Sequence, residues 1–136
     1  MFSSTSQYAL RALAHLAAAP PDTPVLGQDL ARETGIPANY LRKIMLTMGN
    51  AGMVEASRGS GGGYRLARKP SRIRVGDVVD LFDHSMSDPP CLLGLRKVCS
   101  DANPCSAHHS WRRTRLACQE FLKNTTIADI SADRWG

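Results

Sequence analysis

Three of the chain's four cysteines fall in one short stretch, Cys91, Cys99 and Cys105, with seven and then five residues between them. His108 follows the last of them by three positions. Thiolates and imidazole are the ligands that iron–sulfur clusters and zinc take. Pro89, Pro90 and Pro104 make the stretch a loop rather than a helix or strand. Clusters of this kind want four protein ligands, and the cysteines supply three. Three cysteines and a histidine also fit tetrahedral zinc. Cys118 stands apart, in mid-helix on an apolar stripe, where a small thiol packs as a hydrophobe. Cys105 beside His108 raises the question of thiol catalysis, but no third orienting group or substrate pocket accompanies them. The chain does not read as an enzyme.

The rest of the composition bounds what such a loop can serve. At 136 residues, 43% hydrophobic and 21% charged, the chain is the size of one ordinary globular domain. It has no run of about 18 apolar residues, so no membrane-spanning helix is expected. The apolar stretch from Tyr8 to Ala19 contains Arg11 and His15 and lacks a basic segment before it, which makes it a poor signal peptide. The expected compartment is therefore the cytoplasm, where grouped thiols bind metals or sense redox state more often than they form structural disulfides.

Charge is divided unevenly. Residues 1–75 carry ten Lys/Arg against four Asp/Glu, whereas residues 76–136 carry seven against eight. Six basic residues and no acid lie between Arg58 and Arg74. A basic half of this kind fits a polyanion, most simply double-stranded DNA.

The elements that must position these residues are legible from periodicity. Ser4 and Gln7 have capping-box spacing ahead of a helix to about Ala19, with Ala9, Ala12, Leu13, Leu16 and Ala17 inward. Pro20, Pro21 and Pro24 close it. A second helix is expected from Gly27 to Thr34, then a turn at Gly35, then a helix with Leu41, Ile44, Met45 and Met48 on its buried face. Ile36 plugs the interior, Pro37 fits the first turn of that helix, and Gly49 and Gly52 end it. This is helix-turn-helix spacing. Asn39, Tyr40, Arg42 and Lys43 then lie near the N-terminal end of the second helix, where a recognition helix meets base edges and phosphates. Val54–Ser57 and Tyr64–Ala67 flank a glycine-rich loop and read as a β-hairpin wing with Arg58 at its base, suited to a narrow minor groove. A phosphate-cradling loop is excluded, because the glycines lead into a strand and no Lys-Ser/Thr follows. A short helix from Arg74 to Asp83 comes before the cysteine loop. After it a longer helix runs from Ala107 to Lys123, with Ala107, Trp111, Thr114, Cys118, Phe121 and Leu122 on one stripe and Leu116 opposite. That helix is expected to touch apolar surface on two sides, one of them on a second copy of the chain.

Tyr8-Ala9-Leu10-Arg11-Ala12-Leu13, Asn39-Tyr40-Leu41-Arg42-Lys43-Ile44 and Arg58-Gly59-Ser60-Gly61-Gly62-Gly63-Tyr64-Arg65-Leu66 resemble the bacterial winged-helix regulators that include IscR and NsrR. The three cysteines and Thr125-Thr126-Ile127-Ala128-Asp129-Ile130 extend the likeness over nearly the whole chain. The resemblance implies a mainly α fold with a small β-hairpin wing. It assigns residues 1–83 to a winged helix-turn-helix DNA-binding domain, 84–106 to a cysteine-rich cluster-binding loop, and 107–136 to a dimerisation helix and C-terminal turn. It implies a homodimer, of the repressor kind, on a DNA operator. Its affinity would be tuned by an iron–sulfur cluster, 2Fe–2S or 4Fe–4S, that senses iron, redox state or nitric oxide.

Carried over by position, the DNA contacts are Asn39, Tyr40, Arg42, Lys43, Arg58 and Gly59. The cluster ligands are Cys91, Cys99, Cys105 and, by its Cys-x-x-His spacing, His108, with His109 as the fallback. IscR-like chains have an acidic residue and a glutamine where this one has Arg42 and Lys43, and a first cysteine gap of five rather than seven. Neither the operator nor the cluster type therefore carries over. The nitric-oxide branch takes its fourth ligand from an acid of the partner's first helix, at a position where this chain has Tyr8. The alternatives are a zinc- or thiol-based sensor and a cluster-free regulator controlled by a protein partner.

Overall fold

The computed structural model describes residues 2–59, 62–83, 91–95 and 100–134. Cys99, Pro89, Pro90 and residues 60 and 61 of the glycine loop lie outside the described residues.

Helix α1 spans Ser4–Ala18 and buries Ala9, Ala12, Leu13 and Leu16. Its cap is Ser3, one residue before the expected Ser4: the Ser3 hydroxyl oxygen accepts the Ser6 amide at 3.1 Å. Asp83, eighty residues away, selects Ser3 by accepting both its amide and its hydroxyl at 3.0 Å. Local spacing carried no sign of that partner.

Helices α2 (Gly27–Thr34) and α3 (Ala38–Asn50) form the expected pair. Gly35 turns between them with φ 72°, and its N–H closes on the Ala31 carbonyl at 2.9 Å. Pro37 is the cap of α3 rather than part of its first turn. Ile36 plugs the interior, and Leu41, Ile44, Met45 and Met48 are all buried, each 2% exposed or less. Gly49 does not stop α3, which runs one residue further, and Gly52 (φ 77°) makes the exit turn.

Strands β1 (Val54–Ser57) and β2 (Gly63–Leu66) pair antiparallel, Val54 with Leu66 and Ser57 with Gly63. The hairpin is tied down at its outer edge, where Val25 and Tyr64 exchange two backbone hydrogen bonds of 2.8 Å. A Cβ on Gly63 would collide with the Val25 carbonyl, so this anchorage requires glycine there.

Helix α4 (Val75–Phe82) buries Val75, Val78 and Val79, and its third residue, Asp77, accepts the Arg74 amide at 3.2 Å. Helix α5 spans His108–Asn124 and packs its last turns on α4. A Cβ on Gly76 would stand 2.7 Å from the Leu122 carbonyl oxygen, so glycine sets that approach. After α5 the chain returns to the first core. Thr125 accepts the Val75 amide at 2.9 Å, the Ile127 amide reaches the Ile73 carbonyl at 2.9 Å, and Ile127 is fully buried. Burial of one such side chain stabilises the fold by about 2–3 kcal/mol. The C-terminal turn is thus part of the N-terminal core.

The apolar stripe expected on α5 is only partly inward. Leu122 is buried and Cys118 packs beside Val75 and Val79, but Thr114 and Phe121 are exposed, as is Leu116 on another face. Ala107 caps the helix instead of joining it. Among the described residues, His108 at the start of α5 and Leu122 near its end are buried, and the turns between them are covered only in part.

Candidate DNA interface and metal-ligand loop

Asn39, Arg42 and Lys43 emerge from α3 opposite its buried face and are exposed. Tyr40 is also exposed, but it has a structural task. Its hydroxyl lies 2.7 Å from the Thr5 hydroxyl on α1, and its ring meets Tyr8 edge-on at 5.5 Å. The Arg11 guanidinium sits 5.4 Å over the Tyr8 ring and donates to the Thr34 carbonyl at 2.8 Å. Tyr40, Tyr8, Thr5 and Arg11 therefore hold the start of α3 and the end of α2 against α1. Sequence reading missed Thr5 and Arg11 in that role, and only the cation inside an apolar helix hinted at Arg11.

Arg58 and Gly59 lie exposed at the far end of the hairpin, where Gly59 has φ 88° and its carbonyl accepts the Gly62 amide at 3.0 Å. Several other cations are committed, Arg32 to Asp29 and Arg65 to Glu55 at 2.9 Å, and Arg112 to Asp101 at 3.2 Å. Among the described residues, Arg42, Lys43 and Arg58 pair with no carboxylate. Unpaired cations on an exposed helix face and a hairpin tip suit phosphates and guanine edges. Arg58→Ala is expected to weaken DNA binding roughly tenfold and lower the slope of log K against log salt by about 1. Arg42→Ala is expected to cost about 1–3 kcal/mol and to relax base preference at one position. Binding titrations at several salt concentrations check both, and unchanged affinity and slope in both variants would refute the docking.

In the other candidate site the loop folds Cys91 back onto Cys105. Gly94 (φ 70°) closes a turn whose amide reaches the Cys91 carbonyl at 3.0 Å. Cys91 is buried, Cys105 half-buried, and their sulfurs lie 3.3 Å apart without a covalent link. Two thiolates on one tetrahedral metal with bonds of about 2.3 Å would stand roughly 3.8 Å apart, so a shared metal requires the two sulfurs to move apart by about 0.5 Å. Cys99 falls outside the described residues. Among the described residues, no three of His, Cys, Asp and Glu gather as a metal-binding group.

His108 opens α5, is 1% exposed, and its amide reaches the Cys105 carbonyl at 3.1 Å. Its Nε2 lies 2.6 Å from Asp101 Oδ1, the oxygen that Arg112 Nε also approaches at 3.2 Å. The hydrogen bond from His108 holds the Asp101 carboxyl below its usual range. Slight burial opposes this, and the charge of Arg112 adds to it. An ionised carboxylate can only accept, so in this contact His108 Nε2 is the donor, and the bond orients the ring at the start of α5. His109 is exposed and meets His108 edge-on at 5.6 Å. Asp101 and Arg112 were not legible as partners of His108, because loop contacts have no periodicity.

Residues 2–133 match the Rrf2 family, described as an iron-dependent transcriptional regulator. Over 131 residues the chain is 38% identical to a protein of Aquifex aeolicus named as an HTH-type transcriptional regulator, covering 96% of this chain and 90% of that one. It is 32% identical over 128 residues to the HTH-type transcriptional regulator IscR of Yersinia pestis, covering 94% and 77%. Among solved structures it resembles CymR, described as the global cysteine regulator of B. subtilis. The TM-score is 0.82 at 25% identity, over 99% of this chain and 98% of that one.

Proposed function

The chain belongs to the Rrf2 family of transcriptional regulators, and on that footing we propose that it is a homodimeric repressor whose Cys91, Cys99, Cys105 and His108 hold an iron–sulfur cluster. A mainly helical, winged-helix regulator of DNA is the firm part of this reading, and family and relatives alike are regulators rather than enzymes. No helix among the described residues is long and apolar enough to cross a membrane.

The convergence of Cys91 and Cys105, fourteen residues apart in the chain, carries the cluster assignment. Such a group, when bound, supplies a centre whose integrity responds to iron, oxidants or nitric oxide. The chain's own residues do the rest. Cys91 and Cys105 present two sulfurs in a loop, and Asp101 orients the His108 ring. Asn39, Tyr40, Arg42 and Lys43 read the major groove, while Arg58 and Gly59 enter the minor groove. Residues 1–83 form the DNA-binding unit, 84–106 the ligand loop, and 107–136 the dimer helix and closing turn. Leu116 and Phe121, exposed on α5, support pairing with a second copy.

Purification without oxygen, followed by iron, sulfide and zinc analysis and an optical spectrum, tests the assignment. A brown protein containing iron and sulfide is expected. Zinc without sulfide in a colourless protein would establish the zinc alternative. A colourless, metal-free preparation that binds its operator equally well before and after chelation would sink the metal reading altogether.

The same 3.3 Å sulfur pair favours one second reading, a thiol switch, to which the likeness to a cysteine regulator adds weight. A peroxide would oxidise the Cys105 thiol to a sulfenic acid, releasing water, and the Cys91 thiol would then displace the second water to form a disulfide. The peroxide takes up the two electrons. Peptide mapping before and after peroxide treatment distinguishes this from metal binding.

A further inference from the structure

The outer face of α3 has one member that DNA-phosphate chemistry does not explain. With Leu41, Ile44, Met45 and Met48 buried, a helix of 3.6 residues per turn carries Asn39, Lys43, Leu46 and Asn50 up the opposite side. Leu46 is 67% exposed, more than any other large apolar side chain among the described residues. It stands between cations and amides, with the Thr47 hydroxyl turned back onto the Lys43 carbonyl at 3.2 Å. A leucine there adds nothing to the core. It shares that side of the helix with Arg42 and Lys43, which pair with no carboxylate among the described residues.

We propose that Leu46 is a specificity-determining residue that packs on the C5-methyl group of a thymine in the operator. This rests on α3 being the recognition helix. In the major groove the thymine methyl is the one apolar group that projects from a base edge, which makes it the natural partner for an apolar side chain on this face. Leu46 lies seven residues beyond Asn39, about 10 Å along the helix axis. At 3.4 Å per base-pair step, the thymine falls within about three base pairs of the base that Asn39 meets. A protein partner on the same face is disfavoured by the flanking Arg42, Lys43 and Asn39, which suit a polyanion.

The test uses the full chain. Duplexes preferred by the wild type are selected from a random pool, and each thymine of the winning sequence is replaced singly by deoxyuracil, which lacks only the methyl. Wild type is expected to lose about fourfold in affinity at one thymine per half-site, the worth of burying one methyl group. Leu46→Ala should bind the thymine duplex about fourfold more weakly and show no further loss with deoxyuracil. Its melting temperature should be unchanged, because the side chain is solvent-facing. Indifference of the wild type to every methyl, or an equal methyl effect in Leu46→Ala, would overturn the assignment and return Leu46 to solvent or to a protein contact. A pool from which no sequence is enriched would instead overturn the recognition role of α3, and this proposal with it.

Discussion

Asp83→Ala is expected to lower the melting temperature by about 10 °C, the largest effect predicted for a residue outside the apolar core. One carboxylate oxygen of Asp83 accepts the Ser3 amide and hydroxyl at 3.0 Å and the Ser6 hydroxyl at 2.6 Å. Hydrogen bonds to a charged acceptor contribute about 1.5–3 kcal/mol each, and three on a single oxygen add to less than their sum. The alanine variant also leaves the Ser6 hydroxyl, wholly buried, without this acceptor. A loss near 3 kcal/mol corresponds to roughly 10 °C in a chain of this size. The carboxylate also sits at the start of α1, where the helix dipole favours negative charge. Asp83→Asn, which keeps an acceptor but not the charge, should fall about halfway. Thermal unfolding followed by circular dichroism decides the matter, and a shift below about 2 °C for the alanine variant would show that the clamp is not structural.

The position of that clamp also bears on function. Asp83 is the last described residue before the cysteine loop, and it grips the beginning of α1. Thr5, in the same first turn, touches Tyr40 at the start of α3. One polar route from the loop to the proposed DNA-reading helix therefore runs through Asp83, Ser3, Thr5 and Tyr40, beside the apolar packing that α1, α3 and α4 share. Such a chain is a physical route by which the state of the loop could bias α3, and a coupling of only about 1–3 kcal/mol changes operator occupancy by one to two orders of magnitude.

Loss of either Cys91 or Cys105 is the second large expected effect. Cys91→Ser and Cys105→Ser should each retain less than about a tenth of the wild-type iron and sulfide, since a hydroxyl does not replace a thiolate as cluster ligand. Cys118→Ala should keep the full complement, because that thiol lies on α5 against the Val75, Val79 and Leu122 cluster rather than in the loop. Asp101→Ala should fall between, with the four proposed ligands present but His108 no longer oriented. Outer partners of metal-bound histidines typically account for a 10- to 100-fold change in affinity. Iron and sulfide analysis of the four variants, with melting temperature as a control for folding, separates these outcomes. Full iron and sulfide in folded Cys91→Ser would remove that residue from the ligand set.

Most of the architecture was readable in the residues because it follows from short-range rules. Helical spacing placed Leu41, Ile44, Met45 and Met48 on the buried face of α3, and the turn at Gly35 needed a residue tolerant of positive φ. The hairpin from Val54 followed from two β-prone runs around glycines. The errors were at places governed by distant partners. Ser4 looked like the cap until Asp83 selected Ser3. The apolar stripe on α5 gave no sign of where it would be covered, and α4 reaches only its last turns.

The candidate sites divide in the same way. By itself the sequence determined which chemistry is present: three thiols and an imidazole at ligand spacing, a basic first half, and a helix bearing Asn39, Arg42 and Lys43 on one side. Periodicity and residue type are local properties, and they suffice for that much. Only the tertiary structure decided that Cys91 meets Cys105, that Asp101 holds His108 by one nitrogen, and that Tyr40, though exposed, braces α1. It also placed Ile127 in the first core rather than in a separate tail. Those pairings join residues far apart in the chain or within an aperiodic loop. There the partner is chosen by packing and burial of the whole fold, not by any repeat written along the chain.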